Sequence, residues 1–177
     1  HKQMNADKTL KVKVRPAFRP DKAINVELDW FGSWVSQLSK VVGYEINSVK
    51  LLCKALAERI DFFHEMGSRL SDHALDVLCY APATEAEVEV IFQKGLKNEP
   101  VSIEEQDKYK GYILVFLGKE YAKRGWTQQY HIGALRNNSK SMLKKIGPDT
   151  GFDAIEDANY MEKLSALLGA LDAADYD

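Results

Sequence analysis

The segment His131–Asn138 gathers residue types that can form a small-molecule site. It reads His-Ile-Gly-Ala-Leu-Arg-Asn-Asn and follows the strand-like stretch Trp126–Tyr130. On such a strand, His131 shares a face with Thr127 and Gln129. In α/β proteins, ligands lie at the carboxyl ends of strands, where this histidine, arginine and pair of asparagines fall. The alternative is a buried histidine followed by a loop of ordinary turn residues, and spacing alone leaves both open.

Two further segments place polar side chains where a predicted strand ends. Arg19 follows the alternating stretch Lys11–Phe18, and Asp72 and His73 end the short run Ser68–His73. Adjacent strand residues point to opposite faces, so at most one of Asp72 and His73 is expected to enter a pocket directly. The alternatives are an exposed turn arginine for Arg19 and a capping or turn role for Asp72. For His73, a packed and hydrogen-bonded core position is the favoured interpretation.

Three strands are expected to carry these residues. Period-two alternation indicates a strand near Val12–Phe18, and two further short strands are expected near Ser68–His73 and Thr127–Ile132. Pro16 removes a ladder donor, so the first strand is expected to end or bend there.

Helices are expected between and after these strands. Apolar residues three or four apart predict one helix over Val26–Val42 and another over Ser48–Gly67. The segments Thr84–Glu87 and Ser102–Glu105 are capping boxes, each of which opens a helix. A last helix is expected near Ala158–Leu171. Strands joined by helical crossovers form a parallel sheet with helices packed outside it, so the fold class is α/β.

Composition excludes several function classes. The chain has 177 residues, of which 45% are hydrophobic and 28% charged, and its net charge is −2. This balance gives no electrostatic reason to expect nucleic acid or an anionic membrane as a partner. No secretory leader or membrane-spanning run is visible. Cys53 and Cys79 lie in apolar settings without metal-ligand spacing, which indicates reduced core thiols and a cytoplasmic location.

Four segments resemble uronate (glucuronate) isomerases in their order and rough spacing. They are Arg15–Lys22, Arg69–His73, His131–Asn138 and Gly147–Asp153. One departure is Glu156, where the family pattern leads us to expect glycine.

The resemblance implies a fold and a place for this chain within it. The implied architecture is a TIM-like (β/α)8 barrel of the amidohydrolase type, with parallel strands and helical crossovers. Three strands cannot close a barrel of eight. Residues 1–177 are therefore expected to be the central portion of a single barrel domain, that is, a partial barrel whose first and last strands lie elsewhere.

The resemblance also implies site roles. Arg19 and Arg136 are expected to bind the substrate, because a guanidinium binds a carboxylate through two parallel hydrogen bonds. Asp72 and His131 are expected to be catalytic. Asp72 would be an orienting or acid/base carboxylate, and His131 could polarise the carbonyl, shuttle a proton or approach the metal. A divalent metal, zinc by resemblance, is expected in the intact enzyme. Barrels of this type take metal ligands from a His-x-His on the first strand and an aspartate on the last; this chain contains no His-x-His, and no metal ligand is assigned in it.

The expected function is that of an aldose–ketose isomerase of uronic acids. It would interconvert D-glucuronate with D-fructuronate, and D-galacturonate with D-tagaturonate. A metal-dependent hydrolase on the same barrel is one alternative, although two arginines around a small acid favour the isomerase. The other alternative is that the 177-residue chain is inert by itself. The expected partner is a small uronic acid, with no nucleic acid or membrane, and a homo-oligomer remains open.

Overall fold

The computed structural model describes residues 1–75 and 77–173, which form helices around a short parallel sheet. The helices are α1 (Lys2–Ala6), α2 (Asp21–Ile24), α3 (Phe31–Val42), α4 (Val49–Glu65), α5 (Glu85–Leu96), α6 (Ile103–Lys123), α7 (Lys140–Ile146) and α8 (Met161–Ala173). The strands are β1 (Leu70–Leu75), β2 (Thr127–Ile132), β3 (Ala134–Leu135) and β4 (Ala154–Ile155). The sequence therefore forms an α/β fold, as expected.

Strands β1 and β2 pair in parallel along their whole length. The register runs from Leu70 opposite Thr127 to Leu75 opposite Ile132. The two strands are separated in the chain by α5 and α6, which is the helical crossover that parallel pairing requires. The predicted second and third strands are confirmed, except that β1 begins and ends two residues later than the expected Ser68–His73.

The first predicted strand, Val12–Phe18, is wrong in extent. Among the described residues of that stretch, Phe18 alone pairs, as an isolated parallel bridge to Ser71. Its N–H donates to the Leu70 carbonyl at 3.2 Å, and its carbonyl accepts from the Asp72 N–H at 2.9 Å. Pro16 cannot donate to a ladder, and Val12 is 74% exposed. Alternation without burial was therefore not sufficient to make a strand.

A second, two-stranded sheet was not predicted. β3 pairs with β4 in an antiparallel arrangement, with Ala134 opposite Ile155. Each strand has two residues, too few for a periodic pattern to be visible in the sequence. The pairing brings the loop after β2 against the segment that follows α7.

The helix starts follow local capping chemistry. Both capping boxes form: the Thr84 and Ser102 hydroxyls accept from the Glu87 and Glu105 N–H groups, and each glutamate side chain returns to its cap residue. Ser48 caps α4 in the same way, without the reciprocal bond. Two helices begin later than expected: the one expected from residue 26 begins at 31, and the one expected near 158 begins at 161. Helix α7 was not predicted, although the Ser139 side chain caps it by accepting from the Met142 N–H.

The two faces of the β1–β2 sheet differ in polarity. In β1, Ser71, His73 and Leu75 are buried, while Asp72 and Ala74 are partly exposed. The buried face packs against the helices, and the other face carries mostly polar side chains. Leu70, 40% exposed, is the exposed large apolar residue of β1.

The helical layer holds the apolar core. Its largest fully buried side chains come from helices α2 to α6: Ile24, Phe31, Leu52, Leu56, Ile60, Phe92, Tyr109, Ile113, Leu114, Leu117 and Tyr121 contribute, with Leu78 from a loop. Cys53 and Cys79 are free and buried, as predicted, and burial raises the pKa of the Cys53 thiol to about 12. Within the described ranges, no helix is both long and apolar enough to cross a bilayer.

Loss of the α6 cap should destabilise the fold. Ser102→Ala removes the acceptor for the Glu105 N–H and is expected to lower the free energy of unfolding by about 1 kcal/mol. Urea unfolding of the two proteins measures the difference. Ser36→Ala, an exposed position inside α3, is the matched control and should change stability by less than about 0.5 kcal/mol. Equal losses in both variants would contradict the capping interpretation.

Candidate functional site

Arg19 lies directly after the Phe18 bridge and reaches across to β1. Its Nε donates to Asp21 Oδ2 at 2.9 Å, and its Nη1 lies 3.6 Å from Asp72 Oδ2. The side chain is 48% exposed, so it is anchored on one edge and accessible on the other. The bridge fixes this geometry, because pairing Phe18 with Ser71 places the next residue beside Asp72.

Asp72 and His131 lie on the same, polar face of the sheet. His131 Nε2 is 2.7 Å from Asp72 Oδ1, an ion-pair distance, although this oxygen has no well-directed hydrogen bond. In the register, Asp72 stands opposite Gln129, two residues before His131, so the two side chains meet on a diagonal. Asp72 therefore stands between Arg19 and His131, with one carboxyl oxygen facing each.

The sequence had indicated that Asp72 lies at the end of its strand, but in the structure it does not. β1 continues to Leu75, and Asp72 is its third residue. The site consequently begins part of the way along β1, while His131 lies one residue before the end of β2. Arg19, Asp72 and His131 are nevertheless brought together.

Asp21 is the residue that the sequence analysis missed. It opens α2, and its Oδ2 accepts from both Arg19 Nε and the Ala74 N–H, the latter at 3.2 Å. Its Oδ1 lies 3.5 Å from His73 Nδ1. The residue was inside a segment that resembles the family, and its position two residues after Arg19 was the available signal.

The environment of Asp21 favours the ionised carboxylate. Burial by itself would raise the pKa of Asp21, but contacts with His73, the Ala74 N–H and Arg19 outweigh burial and lower the pKa below its ordinary value. The carboxylate is thus a fixed negative charge between the first segment and β1.

His73 is fully buried on the face of β1 opposite Asp72. Its Nε2 lies 3.3 Å from the Tyr121 hydroxyl, and its ring contacts those of Tyr121 and Tyr130. This agrees with the expected packed core histidine. Burial raises the pKa of both tyrosines, which keeps their hydroxyls neutral behind the sheet.

Arg136 is anchored by a different part of the chain. It follows β3, and its Nη1 donates to Asp153 Oδ2 at 2.8 Å. The other Asp153 oxygen accepts from the Asn137 N–H at 2.9 Å, and these two contacts lower the pKa of Asp153. Asp153 therefore ties the segment Gly147–Asp153 to the loop that carries Arg136.

His64 has a structural role. Its Nδ1 accepts from Trp126 Nε1 at 2.9 Å, and the two rings are stacked. Trp126 precedes β2, so this pair lies at the amino end of the strand, away from His131.

The cluster Arg19–Asp72–His131 combines three chemical capacities on one surface. The guanidinium can bind an anion, the imidazole can donate or accept a proton, and the carboxylate can orient either or act as a base. Among residues 1–75 and 77–173, no three His, Cys, Asp or Glu side chains come together as a metal site.

Comparison with known sequences places this chain in a family. A sequence model described as glucuronate isomerase matches residues 1–176. The uronate isomerase of Clostridium acetobutylicum is 46% identical over 172 residues, which is 97% of this chain and 37% of that protein. The uronate isomerase of Halalkalibacterium halodurans is 45% identical and is covered to 36%.

Two solved structures also resemble this chain. A uronate isomerase from Thermotoga maritima superposes with a TM-score of 0.79 at 30% identity, over 90% of this chain and 36% of that one. A glucuronate isomerase from Caulobacter crescentus gives a TM-score of 0.74 at 26% identity, over 88% of this chain and 32% of that one. The chain thus spans about a third of the length of these relatives.

The lowered pKa of Asp21 predicts an acid-dependent loss of stability. Above its ordinary pKa of 3.8 the carboxyl is ionised in folded and unfolded chains alike, and its contacts contribute fully. As the pH falls below that value, the unfolded chain takes up the proton first, so stability declines. Urea unfolding from about pH 6 to about pH 3 should therefore show a smaller decline for Asp21→Asn than for the unchanged chain. Parallel curves would contradict the assignment.

Proposed function

The chain belongs to the glucuronate isomerase family, and we propose that the protein containing it interconverts D-glucuronate with D-fructuronate and D-galacturonate with D-tagaturonate. The observation that carries the proposal is the cluster Arg19–Asp72–His131 on one polar sheet face. The isomerisation of a small acid with a reactive carbonyl requires an anion-binding group beside an acid/base pair.

The proposed architecture is a partial TIM-like (β/α)8 barrel. Residues 1–177 would be the central portion of a single domain, whose first and last strands are supplied by the remainder of the protein. Two features support this: Phe18, β1 and β2 run in parallel, and the sheet face that bears the site is polar and uncovered by the described residues. In a (β/α)8 barrel the helices lie outside the strands, so the strand face away from the helices points inward, and site residues lie toward the C-terminal ends of the strands.

We propose that Arg19 and Arg136 bind the uronate. The Arg19 Nε donates to Asp21, so the terminal nitrogens of the guanidinium can donate to a carboxylate or hydroxyl group of the substrate. Arg136 lies in the segment that follows β2 and His131, and Asp153 holds it there. Both arginines are thus oriented by aspartates of this chain.

Asp72 and His131 are the proposed acid/base pair. In aldose–ketose isomerisation a base removes the hydrogen of C2 as a proton. The C–H electrons form the C1=C2 double bond, and the C1 carbonyl oxygen takes up a proton, which gives the enediol. The C2 hydroxyl then loses its proton, C2 becomes the ketone, and a proton returned to C1 completes the new CH2OH group. His131 faces Asp72 through Nε2, which leaves Nδ1 to exchange a proton with the substrate.

The resemblance implies a divalent metal, zinc, in the intact enzyme. The described residues of this chain do not fit such a site, because they gather no three ligating side chains. Its ligands would therefore come from elsewhere in the protein, and the steps above use only this chain's residues. The buried free thiols Cys53 and Cys79 support a cytoplasmic location.

Turnover in deuterated water tests the reaction class and the route of the hydrogen together. The full-length protein should isomerise uronates and not hydrolyse amides or lactones, and deuterium should enter the product at C1. A base that exchanges with solvent places solvent hydrogen there. The 177-residue chain alone should be inactive, since it holds only part of the site.

Each of these three measurements has a result that would contradict the proposal. Hydrolysis without isomerisation would identify the metal-dependent hydrolase instead. Uronate turnover with no solvent deuterium in the product would replace proton transfer with a direct hydride shift. Turnover by the isolated chain at the rate of the full protein would show that the site is complete here.

Arg19→Lys should weaken uronate binding more than it disturbs folding. The substitution keeps the charge but loses the planar fork, so KM for the uronate should rise by about tenfold or more, with a thermal midpoint near that of the unchanged protein. Steady-state kinetics of the full-length protein measure this. Arg124→Lys, which alters an ion pair with Asp61 and Glu120 outside the site, is the matched control. Unchanged uronate kinetics in Arg19→Lys would remove Arg19 from the site.

A further inference from the structure

Asp21 touches the proposed substrate-binding arginine and yet lies outside the proposed acid/base pair. One of its oxygens accepts from Arg19 Nε at 2.9 Å and from the Ala74 N–H at 3.2 Å. It therefore joins the segment after Phe18 to the far end of β1. No proposed chemical step uses this carboxylate.

The contact on Nε constrains the direction of the guanidinium. A guanidinium has five N–H donors in one plane, and the Nε donor lies on one edge of it. Nε donates to Asp21, and Nη1 lies 3.6 Å from Asp72 Oδ2. These contacts at two atoms define the orientation of the guanidinium plane. A half-exposed arginine with one weaker contact would sample many rotamers, and ordering it upon binding costs free energy.

Asp21 also faces His73 on the buried side of the sheet. Its second oxygen lies 3.5 Å from Nδ1 of the fully buried His73, an ion-pair distance without a well-directed hydrogen bond. His73 Nε2 in turn lies 3.3 Å from the Tyr121 hydroxyl, and the Tyr121 ring stacks on Trp126. A packed histidine on one side of the sheet therefore neighbours the carboxylate that contacts Arg19 on the other side.

We propose that Asp21, backed by His73, is a positioning residue that aligns the Arg19 guanidinium for the substrate carboxylate. This inference rests on the proposed function, in which Arg19 binds a uronate. Asp21 does not touch the substrate; it acts through Arg19. Its effect should therefore appear in uronate binding and should depend on the presence of Arg19.

A double-mutant cycle in the full-length protein tests this dependence. Asp21→Asn keeps the size and an acceptor for the Ala74 N–H but removes the charge that holds Nε. It should raise KM for the uronate about tenfold while kcat stays within about threefold. In an Arg19→Lys background, where the fork is already lost, Asp21→Asn should change KM by less than about twofold.

Asp61→Asn is the matched control, because it makes the same chemical change beside another arginine, Arg124. Its KM should stay within about twofold of the unchanged protein. If Asp21→Asn has the same effect with Arg19 present as in the Arg19→Lys background, the proposal is overturned, since a purely structural role acts regardless of Arg19. A lowered KM would also overturn it, because Asp21 would then merely repel the substrate carboxylate.

Two further measurements keep the test decisive. If Asp21→Asn does not fold, Asp21→Glu, which keeps the charge but displaces the carboxylate, enters the same cycle with the same criteria. If the unchanged full-length protein turns over no uronate, the proposed function fails, and crystal structures decide the positioning role. In Asp21→Asn, a guanidinium turned away from Asp72 supports positioning, and a guanidinium that keeps its orientation overturns it.

Discussion

The alternation of β1 between two environments is the constraint on which the site depends. Successive residues of a strand point to opposite faces, so burying His73 among tyrosines obliges Asp72 to face the polar side. The parallel pairing with β2 then brings His131 to Asp72, and the Phe18 bridge adds Arg19 on the other flank. A one-residue slip of β1 would exchange the two faces and dismantle the cluster.

Charge organises the cluster once the strands have placed it. Asp72 stands between a guanidinium and an imidazole, while Asp21 stands between the same guanidinium and a buried histidine. Each carboxylate thus bridges two nitrogen-bearing groups. An arginine that is half exposed and tied on one edge suits the reversible binding of an anion, because its remaining donors need no new conformational ordering.

The polar sheet face also explains why a chain that spans about a third of its relatives can have a well-packed core. The apolar residues lie between the sheet and the helices, and the face that the rest of a barrel would enclose carries Asp72, Gln129 and His131 instead. Covering polar groups contributes little hydrophobic free energy, so folding of this portion depends chiefly on its helical layer.

The sequence by itself determined the features that depend on near neighbours. The Thr84 and Ser102 capping boxes form within four residues, and the helical crossovers and the α/β class followed from periodicity. The family resemblance led to Arg19, Asp72 and His131. Tertiary structure decided the rest. Whether Val12–Phe18 pairs depends on burial that its alternation does not encode, and the β3–β4 pair is too short to leave a pattern. The role of Asp21 was also hidden, because its partners His73 and Ala74 are distant in the chain and meet it only when β1 is in place.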